Sequence, residues 1–224
     1  MTRTHVLIDL DGTLSDSSLG ISRSLQHAFA ACGFEPPSYD QVRSLIGPPF
    51  EETLPILGIP ESELKRVIHS YRERYEDVGL YENDVYPGIA EMLIDLRDNE
   101  YTLAIATAKP QVTAVRIVEH FGFTEHFSVQ AGATIEVGSG RRTKADVIEF
   151  ALDELGIDAG DHVVMVGDRD HDVEGALQNN IDCIGVSWGF GTHSELTDAG
   201  AAHVVDSPAE VVSAVASTYR LSWP

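Results

Sequence analysis

Asp9 and Asp11 interrupt the carboxyl end of a short apolar run, Val6-Leu7-Ile8-Asp9-Leu10-Asp11, and Gly12 follows at once. An apolar stretch with β-branched members has the pattern of a strand buried on both faces. Such a strand carries two carboxylates only at a cost, because unpaired buried charge is expensive. Two acids at a strand end, with a turn directly behind them, point to a cation or to proton chemistry. The structural alternative is an ordinary strand followed by an Asp-Gly turn. A calcium loop of the EF-hand kind does not fit, since its sixth and twelfth positions need Gly and Glu. Counted from Asp9, those positions hold Leu14 and Gly20.

Further polar groups close or precede stretches of the same kind. Leu103-Ala104-Ile105-Ala106 ends in Thr107, followed by Ala108-Lys109-Pro110. His162-Val163-Val164-Met165-Val166 ends in Gly167-Asp168-Arg169-Asp170-His171-Asp172, and Lys144 opens the helical stretch before it. Asp9 and Asp168 can hold Mg²⁺, a hard cation that takes oxygen ligands and keeps some of its waters. Thr107 Oγ and the backbone N–H groups after it, on Ala108 and Lys109, can hydrogen-bond phosphate oxygens at a helix N-terminus. Lys144 supplies a fixed positive charge for charge that develops in a transition state. Asp9, ionised, can attack phosphorus in line and form an aspartyl-phosphate. Asp11 would protonate the leaving oxygen and then deprotonate the attacking water. Lys109 is either a second positive group for the substrate or a solvated lysine at a helix start, where the dipole gives it nothing.

The elements that must position these groups alternate along the chain. Extended apolar stretches are expected at 6–10, 101–107, 127–131, 162–166, 181–186 and 202–205, and helices at 110–121, 143–155, 173–178 and 208–217. Another helix opens at Pro87-Gly88, with Ile89, Met92, Leu93 and Leu96 inward. Strands alternating with helices imply an α/β fold with a parallel sheet covered on both faces. Ligands of such sheets bind beyond the carboxyl ends of the strands. Residues 16–83 differ: Ile21, Leu25, Ala28 and Phe29, and later Leu64, Val67, Ile68, Tyr71 and Tyr75, recur at helical spacing with no strand between them. That stretch reads as an all-helical insert, with hinges near Asp16 and 83–87.

Composition bounds the rest. A chain of 224 residues with 43% hydrophobic and 23% charged content is an ordinary globular chain, large enough for one core and a small insert. The formal net charge of −21 argues against a nucleic-acid or anionic-membrane binder, which would need a basic face. No apolar run approaches a membrane span. The first strand begins so early that no signal peptide is expected. Cys32 and Cys183 read as buried free thiols in a reducing, cytoplasmic compartment.

In order and over nearly the whole chain, these residues resemble the haloacid dehalogenase-like phosphatases, in the branch with a helical cap inserted after the first strand. Asp9-Leu10-Asp11-Gly12-Thr13 is similar to the first motif of that family, Thr107 to the second, Lys144 to the third, and Gly167-Asp168 with Asp172 to the fourth. The resemblance implies a Rossmann-like core, 1–15 and 84–224, with helices on both faces of a parallel sheet, and a cap, 16–83, that closes over the site. It implies Asp9 as nucleophile, Asp11 as acid and base with its backbone carbonyl on Mg²⁺, Asp168 as a metal ligand, and Asp172 as a support of the metal shell. Asp170 competes with Asp172 for that last role. Gly47-Pro48-Pro49, Thr107-Ala108-Lys109-Pro110 and Trp188-Gly189-Phe190-Gly191 are similar to phosphoglycolate phosphatase-like and 5′-nucleotidase-like members.

The activity so implied is Mg²⁺-dependent hydrolysis of a small phosphate monoester, by a monomer or homodimer. Dehalogenases and phosphonatases of this kind lack the second acid, so Asp11 argues against both. Sugar phosphomutases keep it and remain an alternative. From another class come a phosphoacceptor resembling receiver domains and a protein-level role on phosphotyrosine. Among lesser candidates, Arg23, Arg141 and Arg142 either reach a substrate or salt-bridge the acidic surface. Phe50, Tyr71 and Tyr75 read as core of the insert, and His171 as exposed.

Overall fold

A computed structural model describes residues 4–134, 140–160 and 162–217. The described residues fall into two compact units, one within 1–15 and 85–224 and the other 16–84. The chain passes between them at two short strands, β2 (Ser15–Asp16) and β3 (Asp84–Val85).

The first unit is built on a six-stranded parallel sheet. Its strands are β1 (His5–Ile8), β4 (Thr102–Pro110), β5 (Phe127–Ala133), β6 (Val163–Gly167), β7 (Asp182–Val186) and β8 (His203–Val205), in the order β5-β4-β1-β6-β7-β8. Parallel neighbours need long crossovers, and α5 (Ile89–Asp98), α6 (Gln111–His120), α7 (Lys144–Leu155), α8 (Asp170–Gln178), α9 (His193–Ala199) and α10 (Pro208–Ala216) fill the connections. Leu7, Ala104, Met165 and Cys183 point to one face and join Val147, Ile148, Ala151 of α7 and Val173, Ala176 of α8 in one core. Val6, Ile8, Ile105 and Val166 alternate with them and are equally buried, so both faces are covered. The α/β architecture with a helical insert after the first strand is the one expected from the sequence.

Register fixes the working edge. Ile8 pairs with Ile105 on one side and Val166 on the other, so Asp9, Ala106 and Gly167 stand at one level, with Thr107 and Asp168 directly after them. The Asp9 N–H still donates to Val166 O, at 2.9 Å. β4 runs past the expected end at Thr107. Thr107 pairs with Gly132 and Pro110 with Ala133, so Ala108 and Lys109 are extra residues in a bulge of β4 opposite two consecutive residues of β5. The unexpected α9 is started by Thr192, whose Oγ1 accepts from the Glu195 N–H at 3.1 Å, and is stopped by Gly200. Cys183 is buried and Cys32 only half-buried, both free thiols.

The second unit holds α1 (Ser18–Ala31), α2 (Tyr39–Arg43), α3 (Phe50–Ile56) and α4 (Leu64–Asp77). Tyr71 and Tyr75 stack at 5.1 Å and Phe50 meets Tyr71 edge-on at 4.5 Å, as expected of core aromatics. Arg23 is tied to Glu82 at 2.7 Å, and Arg74 bonds both Glu82 and Ser24. α1 crosses the turn at Gly79 so closely that a Cβ on Gly20 would stand 2.0 Å from the Gly79 carbonyl oxygen. Gly20→Ala would gain about 1 kcal/mol of helix propensity but must push that backbone aside, a clash that costs roughly 1–3 kcal/mol or more. The variant is therefore expected to unfold at a lower temperature than the parent. An unchanged or higher midpoint by calorimetry would show that the crossing relaxes freely.

Candidate active site

The carboxyl edge of the sheet brings Asp9, Asp168 and Asp172 together. One carboxylate oxygen from each lies within 4.8 Å of the others, and all three residues are buried. Asp168 is held by parts distant in sequence: Thr13 Oγ1 donates to its Oδ1 at 3.1 Å and the Phe190 N–H to its Oδ2 at 2.7 Å. Trp188 Nε1 in turn donates to Thr13 O at 3.0 Å. Gly12 has φ of +87°, and a Cβ there would lie 2.2 Å from Asp168 Oδ2, so only glycine both turns the chain and admits the carboxylate. Asp172, in the first turn of α8, reaches back to accept the N–H groups of Asp168 and Arg169, each at 3.1 Å. Asp170 is half exposed and accepts instead from the His171 N–H at 2.8 Å, outside the triad. His171 is not exposed as expected; it is half-buried between Asp170 and Asp172.

Lys144 is the cation of this cluster. Thr143 caps α7 in a reciprocal box with Asp146, and the Arg142 N–H also donates to Asp146, at 2.9 Å. This places Lys144 in the first helical turn. Its Nζ lies 2.8 Å from Asp9 Oδ1, 2.7 Å from Asp172 Oδ1 and 2.9 Å from Ala106 O. An ammonium has three donors; one goes to the Ala106 carbonyl, and the two carboxylate oxygens lie at ion-pair distance. Thr107 is also buried, and its hydroxyl, like Lys144, favours the ionised form of Asp9. Ala108 and Lys109 follow in the bulge, and the Lys109 N–H is turned to Thr107 Oγ1 at 3.3 Å. The Lys109 side chain is not solvated: it is 6% exposed, and its Nζ lies 2.5 Å from Asp11 Oδ2. The chain has only three lysines, and two of them stand here.

The electrostatics bear on what this cluster can hold. Burial, with the Asp172 and Asp9 carboxylates beside it, pushes Asp168 up to about 8. Burial also raises Asp9, more than Lys144 lowers it. Burial opposes ionisation of Asp172 too, but Lys144 and His171 outweigh it and hold that carboxyl below its usual range. For Lys144 burial is likewise outweighed, by Asp172 and Asp9, and its pKa is raised. Fully ionised, three carboxylates and one ammonium carry two net negative charges, the amount a divalent cation cancels. An all-oxygen donor set of this kind suits Mg²⁺.

Several sequence candidates lie elsewhere. Arg141 stacks on Phe150 at 3.7 Å and donates to Gly132 O and Gln111 Oε1, which makes it a strut between β5, α6 and α7. Arg169, which is not among those candidates, pairs with Glu195 at 2.6 Å. Among the described residues, no helix is long and apolar enough to cross a membrane.

The haloacid dehalogenase-like hydrolase family matches residues 6–186. A 5′-nucleotidase of Pseudomonas aeruginosa is 42% identical over 86% of this chain and 86% of its own. The tyrosine-protein kinase PtkA of Mycobacterium tuberculosis is 44% identical over 83% of this chain, which spans only 62% of that protein. The crystal structure of a predicted phosphatase from Clostridium acetobutylicum superposes with a TM-score of 0.89 at 35% identity, covering 96% of this chain and 99% of the other.

Proposed function

Because the chain belongs to the haloacid dehalogenase-like hydrolase family, we propose that it is a Mg²⁺-dependent phosphatase of small phosphate monoesters working through an aspartyl-phosphate on Asp9. The observation that carries this reading is the buried triad Asp9, Asp168 and Asp172 with a single lysine inside it. Asp9, Asp168 and Asp172 would hold Mg²⁺, with the Asp11 backbone carbonyl beside them. The ion supplies positive charge that offsets the repulsion between carboxylates and a phosphate dianion.

The chain's own residues do the rest. Lys144 fixes the Asp9 carboxylate, and Asp9 attacks phosphorus as the bond to the leaving oxygen breaks. Asp11 gives that oxygen a proton. It then takes one from a water, whose oxygen attacks phosphorus and releases Asp9. Thr107, Ala108 and Lys109 line the phosphate end of β4.

Phosphate release from p-nitrophenyl phosphate and a panel of metabolite monoesters tests this. Nucleoside 5′-monophosphates come first in the panel, given the similarity to a 5′-nucleotidase, and phosphoglycolate and sugar phosphates follow. Activity is expected to vanish in EDTA and return with Mg²⁺; turnover indifferent to chelation would refute the metal assignment. Rearranged phosphosugar without free phosphate would instead identify a phosphomutase. The similarity to a protein named a tyrosine kinase supports a second reading, phosphoryl transfer to tyrosine. Incubation with ATP and a phosphotyrosine blot separates it from the first.

A further inference from the structure

We infer that Lys109 is a positioning residue, held in the bulge of β4 so that its ammonium fixes the Asp11 carboxylate by one oxygen and leaves the other for the substrate's leaving group. The inference rests on the phosphatase reading above. Three observations meet in it.

The first is how the backbone aims this side chain. A strand without the bulge would continue the pleat, and alternate residues would point to opposite faces of the sheet. Here two residues, Ala108 and Lys109, stand between the Thr107–Gly132 and Pro110–Ala133 pairs. Bulges re-aim side chains next to active sites. This one is braced on the far side, where a Cβ on Gly132 would fall 2.7 Å from Lys109 O and 2.6 Å from Gln111 Cα. Only glycine in β5 lets the bulge sit so close.

The second is the ion pair itself. Lys109 Nζ lies 2.5 Å from Asp11 Oδ2, with the two side chains 6% and 15% exposed. A pair so shielded from water keeps its orientation far better than one on the surface. The third is the other oxygen. Asp11 Oδ1 is buried and has no hydrogen-bond partner among the described residues. One oxygen of Asp11 is thus clamped and the other is left for an incoming group. A lysine that served only to bind phosphate would have no need to engage this carboxylate.

The choice of leaving group tests the inference. An alkoxide leaves only with a proton, so an alkyl phosphate such as a nucleoside 5′-monophosphate depends on a well-placed Asp11. Nitrophenolate leaves without one. kcat/KM for both esters reports the first phosphoryl transfer, and their ratio in one sample does not depend on how much of a variant is folded. Lys109→Met is expected to lower kcat/KM on the alkyl ester by about 10²-fold, within the range of general-acid effects. The loss on p-nitrophenyl phosphate should be at least tenfold smaller. Lys109→Arg should recover most of the alkyl activity. Asp11→Asn should show the same split, and Lys109→Met combined with it should add little more.

Equal losses on the two esters, or a rise in KM alone, would overturn the inference and leave Lys109 as a phosphate ligand. So would a double variant whose losses multiply. A wild-type chain that releases phosphate from neither ester, with Mg²⁺ present, would overturn the phosphatase reading and this inference with it.

Discussion

Asp9→Asn is expected to abolish phosphate release, by at least about 10⁴-fold, the scale seen when a covalent nucleophile is removed. A carboxamide is uncharged and a poor nucleophile toward phosphorus. It also withdraws one negative charge from the triad that would hold the metal. The loss should not come from unfolding. Burial raises the Asp9 pKa in the folded chain, so its ionised form opposes folding at every pH above its ordinary value. Without divalent ions, the Asn variant should therefore melt at the same temperature as the parent or higher. Substantial residual turnover in a variant verified by mass would point to another nucleophile. Residual turnover is best read with added Mg²⁺ at several concentrations, which separates weakened metal binding from lost chemistry.

The second large effect is at Lys144. Lys144→Met keeps the length of the side chain but leaves Asp9, Asp172 and the Ala106 carbonyl without their shared donor. Breaking a buried pair from one side costs about 3–5 kcal/mol, and turnover should fall roughly 10²–10³-fold or more, as when one electrostatic donor is lost. The pH dependence carries a definite sign. Asp172 is depressed when folded, so its share of stability is present above the unfolded value and fades as pH falls. Lys144 is raised, so its share is present below its unfolded value and fades as pH climbs past the folded one. The pair therefore stabilises most between about pH 4 and pH 10, the ordinary ranges of the two groups. The gap in melting temperature between parent and variant should be wide at pH 7 and narrow toward pH 3. A constant gap across that range would mean that Lys144 acts through packing alone. Mg²⁺ should close part of the gap at pH 7, by replacing the missing positive charge.

What the sequence disclosed was local. Asp9 and Asp11 stand in one strand end, and Gly167 to Asp172 in one strand-to-helix turn, so their residue types and the apolar runs before them suffice to place them. Thr13, Gly189 and Phe190 were visible only as members of motifs. Their task of gripping Asp168 depends on a chain approach across as many as 155 positions, which no local pattern encodes. The choice between Asp170 and Asp172 was decipherable in principle: an acid at the third position of a helix reaches back to free N–H groups, whereas one at the first faces out. The bulge at Ala108-Lys109 was not, because it depends on which residues of β5 pair on either side of it. α9 escaped because a seven-residue helix has too few turns to show a period, and its start and stop at Thr192 and Gly200 were the only signals.

The burial of Lys109 and Lys144 has a use at the bench. With both amines enclosed in carboxylate contacts, Lys65 on α4 is the one exposed lysine side chain of the protein. Amine-directed dyes, cross-linkers and resins will therefore find a single side-chain handle, and it lies on the helical unit rather than the one built on the six-stranded sheet. A fluorophore placed there reports on that unit, and a second lysine must be engineered before distances within the molecule can be followed by amine labelling.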